Sequence, residues 1–272
     1  MSPADALRSG DIDTFNATRG EGTVDLRGLV LNGLDLEDAN LENVDLTGAT
    51  LVGVTVDADD LIACRLQGAT VDLSAVDGDV EALSQVLALW GGASVWNAWR
   101  KTNDLEFLTS ANLAGIDLRG CDLSEISLLA CEMTGADFRD AQLHDASLGS
   151  SQLTGANFTA VRARNLALPK ARLAGAFFHG ARLSTPKLSG ALAPRAVFMG
   201  ATLDRAIADG FQAPGGDFSV ATLSGCLFTG ASFRDANFSG AQLLAGAWNG
   251  ADLAGADFSG ATVDGTGFEP PA

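Results

Sequence analysis

The sequence predicts an all-β solenoid, a chain wound into stacked coils, and three observations support this. An apolar residue returns every five positions from Leu26 to Val71, and again from Leu108 to Phe268. A small residue, usually Ala, stands two positions before these apolar centres. A period of five fits neither the helical period of 3.6 residues nor the strand period of two. A strict short repeat of this kind is typical of units that stack because none can bury its apolar face alone.

Phenylalanine indicates the length of one coil. In the second run, every fourth centre falls on one series that begins at Leu118, and after this Leu all seven members are Phe. Four pentapeptides in each coil would place these side chains on one wall of a four-sided solenoid, whereas three pentapeptides in each coil would scatter them. We therefore expect a stacked ladder in the core, formed by Phe138, Phe158, Phe178, Phe198, Phe218, Phe238 and Phe258.

The repeated unit resembles a known family. Segments such as ADFRD (136–140), ANFTA (156–160) and ADFSG (256–260) are similar to the A(D/N)LXX consensus of the pentapeptide-repeat proteins. The resemblance covers about 215 of the 272 residues. It implies a right-handed quadrilateral β-helix, in which the central Leu or Phe and the small residue face inward and the other three positions face outward.

The N-terminal element is predicted to be a cap followed by a short β-helix, residues 1–76. The segment Phe15–Arg19 reads aromatic-Asn-Ala-X-Arg and stands seven residues before the first centre, Leu26. Ten centres follow, enough for about 2.5 coils. Solenoids need such caps because an open end coil lacks a neighbour.

The second and third elements are a helical cap or linker, 77–107, and a long β-helix of about eight coils, 108–272. Residues 77–92 read as a helix, with Asp77 or Asp79 as its N-cap and a Gly pair at its end. Its apolar face is predicted to be Val80, Leu83, Leu87 and Trp90. A second aromatic-Asn-Ala-X-Arg segment, Trp96–Arg100, precedes the centre Leu108, so the long helix restarts with its own cap.

Composition excludes several classes of function. With 34 acidic and 17 basic residues, a net charge of −17 and a pI near 4.3, the chain is not a general nucleic-acid binder. No apolar run reaches the length of a membrane span. Four scattered cysteines and no signal-peptide pattern predict a cytoplasmic protein. The thiols take the small inward position at Cys64, Cys121, Cys131 and Cys226.

No catalytic, metal-binding or cofactor-binding pattern stands out. His144 and His179 each follow a centre, so both are expected on the outside as surface residues. The chain has no Walker loop, nucleophile elbow, dinucleotide fingerprint or zinc-protease motif. We therefore expect neither an enzyme nor a cofactor.

Charge and exposed apolar residues provide the candidate binding surfaces. Residues 1–80 hold 16 acidic and 4 basic residues, including Asp35, Glu37, Asp38 and Glu42. Residues 160–205 reverse the balance, and one face there carries Arg162, Arg164, Arg182 and Arg205. Two apolar pairs, each with its members one coil apart, are expected on the outside: Phe177 with Val197 and Ile207 with Leu227.

Two functions remain open from the sequence. The first is a non-enzymatic interaction module, an acidic rod that binds another protein through its charged faces. The second follows from the resemblance: some family members mimic B-form DNA, bind DNA gyrase and protect it from topoisomerase poisons, giving antibiotic resistance or self-immunity. A homodimer through an end coil or an outer apolar patch is a further alternative. The basic residues at 160–205 are not what a DNA mimic needs.

Overall fold

The computed structural model describes residues 1–265, which form two compact units. The first runs from Met1 to Leu113 and the second begins at Ala114. The last predicted centre, Phe268, lies outside the described residues. Among residues 1–265, every helix is too short or too polar to cross a membrane.

Two short helices open the first unit. Helix α1 spans Pro3–Arg8 and α2 spans Ile12–Thr18. The side chains of Ser2 and Asp11 accept backbone N–H groups as the respective N-caps, which satisfies donors that have no partner within the first turn. Phe15 is fully buried, so the aromatic residue of the first cap motif anchors α2.

The next residues of α2 fasten the cap to a turn of the short solenoid. The Asn16 side chain donates to the carbonyl of Asp38 and accepts from the N–H of Asn40, both at 2.8 Å. The Arg19 guanidinium donates to the carbonyl of Glu42. The cap motif therefore acts through side chains that reach 22 to 24 residues ahead.

The short solenoid is built from two-residue parallel strands. Val24 pairs with Val44, and Val56 pairs with Val76, so four pentapeptides complete one coil. The strands are β1 Val24–Asp25, β2 Val44–Asp45, β3 Thr50–Leu51, β4 Val56–Asp57, β5 Thr70–Val71 and β6 Val76–Asp77.

One pentapeptide of the first run is helical, which the repeat did not predict. Residues Ala58–Ile62 form helix α3, and the 3₁₀ turn Leu73–Ala75 follows in the next coil. Asp57 starts α3 because its carboxylate accepts the N–H of Asp59 at 2.8 Å. Leu61 remains fully buried, so the predicted centre keeps its place in the core while the backbone changes.

Two helices complete the first unit, followed by strand β7, Phe107–Thr109. Helix α4 spans Val80–Trp90, with Asp79 as its N-cap, and α5 spans Gly92–Trp99. On the predicted apolar face of α4, Leu83 is buried and Val80, Leu87 and Trp90 are half-buried. The Arg65 guanidinium of the short solenoid lies over the Trp90 ring. Contacts with both α3 and α5 extend burial around α4 to Ala82, Leu83, Val86 and Leu89.

The second unit is a regular parallel β-solenoid. Its strands are β8 Ser127–Leu129, β9 Arg162–Arg164, β10 Arg182–Ser184, β11 Thr202–Asp204, β12 Thr222–Ser224, β13 Gln242–Leu244 and β14 Thr262–Asp264. Strands β9 to β14 form one six-stranded parallel sheet in sequence order. Residues one coil apart pair in register throughout it. The same spacing recurs in bridges at three more places along each coil, as at Ala167, Arg172 and Phe177.

Each side of a coil ends in a tight turn. In one of them, the N–H of Ala196 donates to the carbonyl of Ala193 at 3.1 Å, with Pro194 and Arg195 between them. Arg195 has φ of 57°, while most other corners use Gly for this left-handed conformation. Central and small residues from Leu118 to Leu243 lie inside, so charge and chemistry are left to the outer positions.

Candidate functional site

The interior of the second unit is filled by aromatic rings. The structure stacks the seven Phe side chains of the predicted ladder, with successive centroids 4.5 to 4.9 Å apart and planes within 14° of parallel. Such spacing leaves no room for a ligand between the rings. The surface positions of the coils are therefore where a binding site on this unit can lie.

The predicted acidic residues of the first unit all lie on that surface. Asp35, Glu37, Asp38 and Glu42 are exposed, and no basic side chain among residues 1–265 forms an ion pair with any of them. The backbone carbonyls of Asp38 and Glu42 are held by the Asn16 and Arg19 side chains of the cap. This set can present negative charge from a fixed framework.

Further carboxylates of the first unit stand in register on neighbouring coils. Asp25 pairs with Asp45, and Asp57 pairs with Asp77. Like charges opposite each other in a sheet are unfavourable. Arg27 relieves one case, because its guanidinium donates to Asp25 at 2.6 Å and lowers the pKa of that carboxyl to about 2.

The eight basic residues between positions 160 and 205 form what we call the basic belt. All are exposed, and the belt comprises Arg162, Arg164, Lys170, Arg172, Arg182, Lys187, Arg195 and Arg205. The structure brings together the four that sequence analysis singled out on strands β9 and β10 and the turn after β11. Arg182 stands in register with Arg162.

Carboxylates neutralise the two edges of the belt on this face. Asp145 accepts from Arg164 at 3.2 Å, and Asp204 accepts from Arg205 at 3.0 Å. The hydrogen bond from Asn165 lowers the pKa of Asp145 most, and the one from Arg164 lowers it further. Sequence analysis could not foresee the pair of Arg164 with Asp145, because it depends on how far the Arg164 side chain reaches to the preceding coil.

The predicted apolar pairs are also placed side by side. Phe177 bridges to Val197 and Ile207 bridges to Leu227 on adjacent coils. Phe177, Ile207 and Leu227 are 40 to 44% exposed, while Val197 is half-buried. Sequence analysis missed other exposed apolar residues, although the same outward repeat positions would have identified them: Leu192, Met199 and Val220.

The thiols and imidazoles do not assemble into a reactive centre. All four cysteines are buried, and burial raises the pKa of Cys121 to about 12 and of Cys226 to about 11. His144 is exposed and accepts the N–H of Arg164 on Nδ1 at 3.1 Å; His179 is also exposed. Within residues 1–265, no three His, Cys, Asp or Glu side chains are grouped to hold a metal ion.

Solved structures with similar chains were found at low identity. Full-length QnrB1, a plasmid-mediated fluoroquinolone resistance protein, is 18% identical over 90% of this chain and 93% of its own, with a TM-score of 0.40. HetL, a pentapeptide-repeat protein involved in heterocyst differentiation regulation from the cyanobacterium Nostoc sp. strain PCC 7120, is 21% identical over 93% of each chain, with a TM-score of 0.20. TM-scores this low do not show a shared overall arrangement.

A search among curated proteins found no match to the chain. Comparison with family models, in contrast, identified the repeats. The model for pentapeptide repeats matches eight copies, at residues 24–56, 108–149, 151–185 and 217–243. These segments make up half of the sequence, and they lie in the two runs of five-residue repeats, the first beginning two residues before the centre Leu26. The chain belongs to the pentapeptide-repeat family.

Proposed function

We propose that this protein is a non-catalytic interaction module that binds another protein through the charged faces of its solenoids. The observation that carries the proposal is the separation of charge on the outer surface. Unpaired carboxylates cluster on the first unit, whereas basic residues cluster in the belt of the second. Complementary charge at an interface speeds association and selects partners.

The test begins with the full chain as bait in the source cell, followed by binding measurements on any co-purified protein. Replacing Asp35, Glu37, Asp38 and Glu42 by their amides should slow association with a basic partner and flatten its salt dependence. Replacing Arg162, Arg164, Arg182 and Arg205 by Gln should do so for an acidic partner. If neither set changes the affinity, recognition is not electrostatic, and Phe177 and Val197 become the residues to vary.

The second candidate is a DNA mimic that binds DNA gyrase and protects it from topoisomerase poisons. It is supported by the acidic surface of the first unit, where Asp57 stands in register with Asp77 on the next coil. Within residues 1–265, four further acidic residues there are exposed without an ion pair, namely Asp35, Glu37, Asp38 and Glu42. The basic belt weighs against mimicry by the second unit, because duplex DNA carries one charge per about 1.7 Å without interruption.

A gyrase supercoiling assay with a quinolone tests this candidate. The candidate is supported if the wild-type chain protects gyrase from the quinolone and if the variant with amides at the four acidic positions (35, 37, 38 and 42) protects it less. Undiminished protection would remove the acidic set from the mechanism, and an absence of protection would remove the candidate.

We propose the following finer features of the assembly and location. The coils are right-handed and quadrilateral, supported by four pairing places in each coil and by the right-handed preference of connections between parallel strands. Residues 1–76, 77–107 and 108–272 are the structural segments, although the compact units divide after Leu113. We also propose that the chain forms a homodimer through an end coil or an apolar patch, and that it is cytoplasmic.

Crystallography tests the handedness and the segments, light scattering tests the homodimer, and cell fractionation tests the location.

A further inference from the structure

The basic side chains of the second unit fall into two classes. Outside the belt, each has a carboxylate partner: Arg119 with Asp117 at 2.6 Å, Arg139 with Asp137 at 2.6 Å, and Arg234 with Asp252 at 3.0 Å. Inside the belt, only Arg164 and Arg205 are paired. No carboxylate among residues 1–265 pairs with the other six, Arg162, Lys170, Arg172, Arg182, Lys187 and Arg195.

The position of these unpaired belt bases makes their lack of partners unusual. Arg162 and Arg182 face the same side from neighbouring strands in register, where like charges repel. In a chain with a net charge of −17, carboxylates are plentiful, yet Asp145 and Asp204 bind only the belt's edges. Repulsion between the unpaired bases lowers the stability of the fold, and no carboxylate of the described residues offsets it. Binding of an external anion explains these bases better than packing of the coils does.

The unpaired bases are distributed around the circumference of the solenoid rather than along its axis. Arg182, Lys187 and Arg195 follow one another within one coil, and Lys170 and Arg172 lie in the coil before it. They cover three consecutive sides of the two coils 161–200. The remaining side carries Phe177 and Val197 in place of bases. The positive surface is therefore narrow along the solenoid and wide around it.

We propose that the unpaired belt bases bind an extended acidic segment of a partner protein, laid across the solenoid. Arg182 and Arg195 are 13 residues apart along one coil, so a segment of about 13 residues reaches across at about 3.3 Å per residue. A duplex nucleic acid fits less well, because its charges follow a straight axis at one per about 1.7 Å, whereas the belt extends around three sides of two coils. This inference rests on the proposed interaction function and specifies the chemistry of one partner.

Fluorescence anisotropy with the full chain tests the inference. The probe is fluorescein-labelled oligoglutamate of about 15 residues, compared with one of about 5 residues and with single-stranded oligothymidylate of about 15 nucleotides. We expect the long oligoglutamate to bind more tightly than either comparator, and more tightly at about 50 mM than at about 200 mM NaCl.

Matched variants then assign the binding to the belt. Changing Arg162, Arg182 and Arg195 to Gln should weaken oligoglutamate binding at least about tenfold, and changing them to Lys should retain most of it because the charge remains. The control changes three ion-paired bases to Gln, with the same loss of net charge and an expected effect below about twofold. These control positions are Arg119, Arg139 and Arg234.

Several results would overturn the inference. They are no oligoglutamate binding at low salt, equal weakening by the belt and control variants, or tighter binding of oligothymidylate. None of them would refute the proposed interaction function, because a partner can still bind through the acidic residues of the first unit. That function fails separately, if the full chain captures no protein whose binding depends on either charged set.

Discussion

The most direct test of the core is to remove one ring from the stack and compare it with its exposed neighbour. Phe178 is fully buried and stacks on Phe158 at 4.7 Å and on Phe198 at 4.6 Å. Truncation of a buried Phe to Ala costs about 3–5 kcal/mol, and the gap cannot close while both flanking rings are held by their own coils. We therefore expect Phe178→Ala to cost about 4–5 kcal/mol.

The adjacent Phe177 is the matched control, because it has the same side chain but is 44% exposed. Phe177→Ala should cost about 1 kcal/mol or less. Phe178→Leu should lie in between, since Leu118 occupies the same wall of an earlier coil. Urea denaturation followed by circular dichroism measures all three, and calorimetry should show a fall in Tm of about 8–20 °C for Phe178→Ala. Equal loss of stability in the two Ala variants would refute the inward and outward assignment.

Three further predictions concern other parts of the core and the cap. Gly216→Ala should destabilise the second unit by about 1–3 kcal/mol, because a Cβ would lie 2.9 Å from the Phe218 ring; a melting curve unchanged from wild type would contradict this. Asn16→Ala should cost about 1 kcal/mol by removing its bond to the Asp38 carbonyl, visible as earlier unfolding of the first unit in urea. Burial raises the pKa of Cys226 to about 11, so the unfolded state loses this proton first and stability should fall as pH rises from 9 to about 11. Cys226→Ala should reduce that fall, and an unchanged alkaline slope would show that other groups cause it.

The five-residue repeat was enough to place the interior but not the contacts outside it. Inward positions are decided by period alone, so Phe198 and Cys226 could be assigned without coordinates. Helix α3 escaped prediction because its centre, Leu61, keeps the period while Asp57 caps a helical turn. The ion pair of Arg164 with Asp145 likewise depends on side-chain reach between coils, which no periodicity encodes.

Because of the same five-residue repeat, the inward residues determine stability while the outward residues are available for recognition. An outward residue stands beside the residue one coil away, as Arg182 stands in register with Arg162. An inward residue such as Phe178 instead packs between the rings of the coils before and after it. Replacing an outward residue therefore changes one column of the surface and leaves the core intact. This allows charge to collect in the belt at a modest cost to the fold. It also makes the unpaired bases informative, because nothing in the packing of the coil requires a base at those positions.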